Sequence, residues 1–267
     1  MTALSVVIIT RNEEDNIVDC IRSARLLTDD IIVVDAGSMD HTVEYSLKEG
    51  AKTHSITWKG YGYSRNYGAA QARHNWIMAL DADERISPGL ASVIHQLDAQ
   101  NPNTLYYFRR INHLARSRFR FGNLGFEKVT RLYHKDSYSW DFSLVHEKLV
   151  GPEATRTKLS GQLLHFGLKN PDDYRNKTIH YARLSAEKYF QEQKKNGPLK
   201  KYASSFFNGM KSYIIQLGFL DGRKGWLMAK TIARYSWMKY ELLEQLHTQA
   251  PAEVIFSRQT EMETISS

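Results

Sequence analysis

Over the first hundred positions, apolar residues come in short unbroken runs, and each run is followed by a stretch in which they recur every three or four positions. The run LSVVIIT, Leu4 to Thr10, is rich in β-branched residues, as expected of a strand covered on both faces of a sheet. EEDNIVDCIRSARLL then sets Ile17, Cys20, Ile21 and Ala24 at helical spacing. The unit repeats: residues 31–34 predict a second strand, a helix begins near Asp40 to Thr42, and Gly50 stops it. AKTHSIT predicts a weaker third strand, GYGYSRNYGAAQA opens a third helix, and WIMAL is the fourth strand. Strands and helices in this alternation predict an α/β protein with a doubly wound, mostly parallel sheet.

The pattern changes near residue 105 to short β-like pieces, LYYFRRINHL, VTRLYHKD, YSWDFSLVHEKLV and LSGQLLHFG. After NPDDYRNK it becomes helical, through YRNKTIHYARLSAEKYFQEQ, KYASSFFNGMKSYIIQLGFL and GWLMAKTIARYSWMKYELLEQL. The expected organisation is an α/β domain over residues 1–168, a helical C-terminal region over 169–250, and a polar, flexible tail over 251–267. The opening MTALSVVIIT has no basic leader and too short an apolar run for a signal peptide or a span, so it reads as a strand. The single cysteine, Cys20, excludes a disulfide framework and a cysteine-based zinc site and suits a reducing, cytoplasmic setting.

Charge sharpens the division. The net charge of +7 is not shared evenly: residues 1–155 hold 18 Lys and Arg against 19 Asp and Glu, residues 156–250 hold 17 against 7, and the tail holds 1 against 3. The surplus is C-terminal, where Lys211, Lys230, Arg234 and Lys239 are interleaved with Phe206, Trp226, Tyr235 and Trp237. That mixture suits a helix lying in an anionic bilayer interface, although the same aromatics could instead form a core between helices and sheet.

Ligands of such sheets bind outside the carboxyl ends of the strands. Three polar clusters fall there and predict one crevice: Thr10, Arg11 and Asn12; Asp35 and Ser38; Asp81, Asp83 and Glu84. No GxGxxG follows the first strand and no GxxxxGK[ST] occurs, which argues against a dinucleotide dehydrogenase or a P-loop enzyme. Two carboxylates one residue apart past a strand can share a hard divalent cation, Mg2+ or Mn2+, that leaves positions open for a diphosphate.

SVVIITRNEEDNI, IIVVDAGSMDHTVE and GYGYSRNYGAAQARHNWIMALDADERI resemble the successive motifs of family 2 glycosyltransferases with the GT-A fold. VTRLYHKD, LVHEKLV, LLHFG and GFLDGRKG extend the resemblance over about residues 4–245, toward bacterial enzymes that glycosylate the lipopolysaccharide inner core, among them β-1,4-glucosyltransferases. The resemblance implies an inverting, metal-dependent hexosyltransferase that takes glucose from UDP-glucose to a lipid-linked oligosaccharide. It implies a peripheral site on the inner face of the cell membrane and no nucleic-acid partner.

By motif, Thr10, Arg11, Asn12, Glu14, Asp35, Arg65 and Asp81 are expected at the nucleotide sugar, with Arg65 near the diphosphate. Asp83, Asp81 and His165 are expected at the metal, with His146 as another imidazole candidate. The second motif departs from the family's usual DDGS or DSGS, because Ala36 stands where a polar residue is common. The acceptor base is expected to be Glu147, with Asp141 and then Glu127 as alternatives. Blander roles compete: an Asx turn for Asp35, a helix surface charge for Arg65, a strand-edge ion pair for Glu147. Glu84 is expected to orient its loop, through Arg85 or a backbone amide. Competing functions are a transferase acting on another cell-envelope or protein acceptor, a nucleic-acid-binding protein using the basic helices, and a nucleotidyltransferase or phosphohydrolase. Strand-end acids speak against the second, and TRNEEDN is not the Gly-rich basic loop usual in nucleotidyltransferases.

Overall fold

The computed structural model describes residues 2–114, 117–125, 127–143, 147–168, 171–194, 197 and 199–249. His146 and the whole tail 251–267 lie outside them. The chain divides into two compact units, Met1–Pro171 and Asp172–Ser267.

The first unit opens with β1 (Leu4–Thr10), α1 (Ile17–Ala24), β2 (Ile31–Asp35), α2 (Thr42–Lys48), β3 (Lys52–Ser55), α3 (Tyr61–Gln71) and β4 (Trp76–Asp81). It continues with β5 (Glu84–Ile86), α4 (Pro88–His95), β6 (Thr104–Leu114), β7 (Ser117–Arg118) and a single turn α5 (Gly122–Gly125). β8 (Lys128–His134), β9 (Ser139–Trp140), β10 (Leu149–Val150) and β11 (Thr155–Leu168) complete it. The main sheet runs in the order β3-β2-β1-β4-β8-β6-β11-β5, with β7 paired to β6 and β9–β10 forming a separate hairpin. The first four strands are parallel. β8 lies antiparallel between β4 and β6.

Alternation along the strands explains why both faces are covered. Val6, Ile8, Val33, Met78 and Leu80 pack with Ile17, Cys20, Ile21 and Ala24 of α1 and Leu90, Ala91 and Ile94 of α4. Val7, Ile9, Ile32, Val34, Ile77 and Ala79 meet Ala69 of α3, Tyr133 and Trp140 on the other side. Each aliphatic side chain so buried contributes about 2 kcal/mol of transfer free energy, so a continuous apolar run is retained where an alternating one would suffice on an open face. At the amino end of β2 the fully buried Asp30 accepts from Ser5 Oγ at 2.5 Å, from the Arg73 amide at 2.8 Å and from Lys52 Nζ at 2.6 Å.

Two short elements escape the sequence patterns. β5 is three residues long, and α4 is announced only by Ser87, whose hydroxyl accepts from the Leu90 amide, and by Pro88 at the first helical position.

The second unit holds α6 (Pro171–Gln191), α7 (Lys200–Met210) and α8 (Arg223–Gln249). The stretch KYASSFFNGMKSYIIQLGFL is not one helix: α7 passes into a π-helical turn at Lys211–Ile215, breaks at Leu217, and resumes as a 3-10 turn at Gly218–Asp221. α7 and α8 run antiparallel, tied by Asn208 Nδ2 donating to Ser236 Oγ at 2.8 Å and by Lys201 Nζ at 2.7 Å from Glu241. α6 packs on α8 through Ala186, Tyr240 and Leu243. Among the described residues no helix is long and apolar enough to cross a membrane.

Candidate active site

The parallel register brings the strand ends together. Thr10 is level with Asp35, and Ile9 with Asp81. Asp35 is buried, and its carboxylate accepts from the Gly37 amide at 3.1 Å, from the Ser38 amide and from the Ser38 hydroxyl. It therefore does form the Asx-type turn that opens the α2 loop, and Gly37 supplies the positive φ of 85° which that turn needs. The loop after β1 is stitched to this turn. Asn12, itself at φ 54°, donates its amide to Ser38 Oγ at 2.8 Å and accepts from the Met39 amide at 2.8 Å. Glu14 accepts from the His41 amide at 3.0 Å. Arg11 is exposed at the rim. Thr10 Oγ1 is buried and has no hydrogen-bond partner among the described residues.

Beyond β4 the acids meet arginines. Asp81 accepts from Arg65 at 2.8 Å on one oxygen and from Arg131 at 2.6 Å on the other. Burial pushes its carboxyl up, but Arg131, Arg65 and Arg110 together outweigh that and hold it well below the usual carboxylate range. Glu84, 0% exposed, accepts from Arg110 at 2.8 Å and Arg131 at 3.0 Å through Oε1, and from the Asp81 amide at 3.1 Å through Oε2. Of the two partners expected for Glu84, the backbone amide is found and Arg85 is not: Arg85 pairs with Asp19 at 2.9 Å and stacks on Phe166. Arg65 is no surface charge. It is 2% exposed, stacks on Trp140, and reaches Glu147 at 3.1 Å as well as Asp81. Its Nε and Nη1 have no partner among the described residues.

The other side of the network holds Asp83 and His165. Asp83 Oδ2 lies 3.2 Å from His165 Nε2. His165 Nδ1 is 2.5 Å from Asn112 Oδ1, and Asn112 Nδ2 donates to Leu124 O at 2.8 Å and Glu127 Oε2 at 2.9 Å. Those two bonds orient the Asn112 amide, so its oxygen faces the imidazole and accepts from Nδ1–H. Burial disfavours the imidazolium, yet Asp83 outweighs it and raises the His165 pKa above its ordinary value. A Cβ at Gly167 would lie 2.6 Å from both Asp83 Oδ2 and His165 Nε2, so glycine keeps the space beside the pair open.

An oxygen and a nitrogen 3.2 Å apart have the spacing of neighbouring ligands around an octahedral cation at about 2.1 Å. The pair fits a divalent cation as two of its ligands. Among the described residues no three His, Cys, Asp or Glu side chains are grouped so as to hold a metal ion.

The base candidates fall in different surroundings. Glu147 sits at Arg65. Asp141 closes its own loop, accepting from the amides of Ser143 at 3.2 Å and Lys148 at 3.1 Å. Glu127 is clasped by Arg110 at 2.6 and 3.0 Å; burial pushes its carboxyl up, and Arg110 more than reverses that. Sequence reasoning missed Arg110, Arg131 and Asn112. Their only trace in the chain is a charged or amide side chain inside a predicted strand, LYYFRRINHL or VTRLYHKD, where Arg109 and His113 look no different.

A glycosyltransferase of Rickettsia typhi, described as uncharacterized, is 26% identical over 257 residues, covering 92% of this chain and 88% of its own length. The lipopolysaccharide core biosynthesis glycosyltransferase LpsC of Rhizobium meliloti is 26% identical, covering 91% of this chain and 93% of its own. Among solved structures, residues 1–349 of Staphylococcus aureus TarS align over 94% of this chain and 93% of that one, at 15% identity and a TM-score of 0.45. Glucosyl-3-phosphoglycerate synthase of Mycobacterium tuberculosis, solved with Mn2+ and UDP-glucose, aligns over 42% of this chain and 44% of that one, at 22% identity and a TM-score of 0.35. The sequence model of glycosyl transferase family 2 matches residues 5–164, more than half of the chain and all of the strands that carry the site up to Leu164, and the chain belongs to that family.

Proposed function

We propose that the protein is an inverting, divalent-metal-dependent hexosyltransferase that moves glucose from UDP-glucose to a lipid-linked oligosaccharide of the lipopolysaccharide core, at the anionic inner face of the membrane. The observation that carries the reading is the pair Asp83 and His165, 3.2 Å apart beside the cleared space at Gly167 and joined through buried charges to Arg65. The likeness to LpsC over nearly the whole length supports the acceptor class.

In this reading Asp83 and His165 hold Mg2+ or Mn2+, which would supply positive charge to the leaving diphosphate. Asp81 acts mainly by holding Arg65 and Arg131, since guanidinium groups occupy both its oxygens. Arg65 offers to the diphosphate its Nε and Nη1, which have no partner among the described residues; preformed donors of this kind stabilise developing charge without reorganising. Thr10 Oγ1 and the turn at Asp35 receive the nucleoside, with Asn12 and Glu14 shaping that turn and Arg11 at its rim. Glu147 takes the acceptor hydroxyl's proton; its ion pair with Arg65 holds it beside the reacting centre.

Incubation with a panel of nucleotide sugars, with and without Mn2+ and with a core oligosaccharide acceptor, tests this by nucleoside diphosphate release. UDP-glucose turnover that needs both metal and acceptor is expected. Release from no member of the panel, or metal-independent release, would overturn it.

A further inference from the structure

The turn joining α7 to α8 is built inside out. Its interior is backbone against backbone: a Cβ at Gly225 would fall 1.7 Å from the Gly218 carbonyl oxygen, and one at Gly218 would fall 2.6 Å from the Ser212 carbonyl oxygen. Ser212 and Gly218 are buried there. The apolar side chains have no room inside and point outward: Phe206 is 71% exposed, Ile215 67%, Trp226 58%, and Ile214, Leu217, Phe219 and Leu220 are all exposed. Leu217 is held at φ 59°, a conformation a bulky residue adopts only where the surrounding packing imposes it. A serine buried inside with aliphatic and aromatic residues exposed outside is the reverse of what water selects.

The charge around this surface selects its partner. From residue 199 to 234 the chain carries Lys200, Lys201, Lys211, Arg223, Lys224, Lys230 and Arg234 against the single acid Asp221. A second copy meeting the same face would bring like charges together. Nucleic acid would match the charge but leave Ile214, Ile215 and Leu220 without a purpose. An anionic lipid surface satisfies both parts, phosphate for the cations and acyl chain for the apolar tip. Tyr213 and Trp226, in edge contact at 5.4 Å, are the amphipathic rings favoured at that depth.

We propose that the α7–α8 turn, residues 206–227, inserts shallowly into the interface of an anionic bilayer, with Lys211, Arg223 and Lys224 against lipid phosphates. The inference deepens the lipid-linked acceptor reading by assigning the membrane contact to one element, and it rests on that reading only for its purpose.

Flotation of the full chain with vesicles of phosphatidylglycerol and phosphatidylethanolamine, against phosphatidylcholine alone, tests it. The wild type floats with the anionic vesicles only. The combined variant Ile215→Ser, Phe219→Ser, Leu220→Ser loses about tenfold or more in partition. Mn2+-dependent UDP binding in solution, unchanged in the variant, shows that its catalytic unit is intact and tests the transferase reading separately. Bilayer-embedded brominated lipid quenches tryptophan emission in the wild type and not in Trp226→Phe. Equal flotation of the variant, or no flotation of the wild type, overturns the inference. So does a concentration-dependent dimer that the variant dissolves without any vesicle binding, since the face would then belong to a second copy.

Discussion

Glu84 is the pivot of the site at the scale of single residues. Fully buried, it compensates Arg110 and Arg131 and accepts the Asp81 amide, so it fixes the turn that carries Asp81 and Asp83. Replacing one member of such a cluster leaves charge buried without its partner; Glu84→Ala is expected to cost about 3 kcal/mol of stability, measured by urea unfolding. Asp81 and Asp83 could be read in the sequence because two acids after an apolar strand are unusual there. The arginines that define their roles could not, since no local pattern tells which strand charge points inward. A second prediction concerns Asp30, at the opposite end of the sheet. Burial pushes its carboxyl up, but Lys52, Ser5 and the Arg73 amide reverse that and bring it to about 2. Its folded pKa is thus depressed from an unfolded value of about 3.9, so its contribution is full above about pH 4 and is lost as pH falls toward 2. Unfolding midpoints of Asp30→Asn should fall less steeply than wild type across that window.

At the scale of elements, α3 shows how packing sets chemistry. Gly68 lies against β1 and β2 so closely that a Cβ would sit 2.4 Å from Val7 Cγ1 and 2.9 Å from Val34 Cγ2. Gly62 meets the Asp141 carbonyl in the same way. These two glycines let the helix approach the sheet far enough for Arg65, between them, to be buried at Asp81. Gly68→Ala is expected to destabilise by about 2 kcal/mol and to lower turnover by more than the unfolded fraction explains, measured by urea unfolding and steady-state rates. β1, β2 and β4 were legible because both faces are buried and the runs are unbroken, whereas the half-exposed KTHS of β3 left only a weak signal. VTRLYHKD was legible as a strand, but its antiparallel place between β4 and β6 was not, because βα alternation says nothing about a strand inserted from later in the chain. The break at Leu217 was hidden too: it comes from tertiary packing at Gly218 and Gly225, while the local pattern stays helical.

At the scale of the whole molecule, the two units carry different surfaces. The nearly neutral first unit buries a charged network at its strand ends, and the basic second unit displays apolar side chains at one turn. The uneven charge was readable from the chain, but which aromatics form the core was not: Tyr240 is buried, whereas Phe206 and Trp226 are exposed. The family and its α/β sheet followed from motifs in register, and the function rests on what those motifs bring together. Calorimetric titration of UDP into the protein with and without Mn2+ tests this most directly. Metal-dependent binding is expected in the wild type and in Glu147→Gln, with a loss of about a hundredfold in Asp83→Ala. Metal-dependent UDP binding of unchanged affinity in Asp83→Ala would contradict the account.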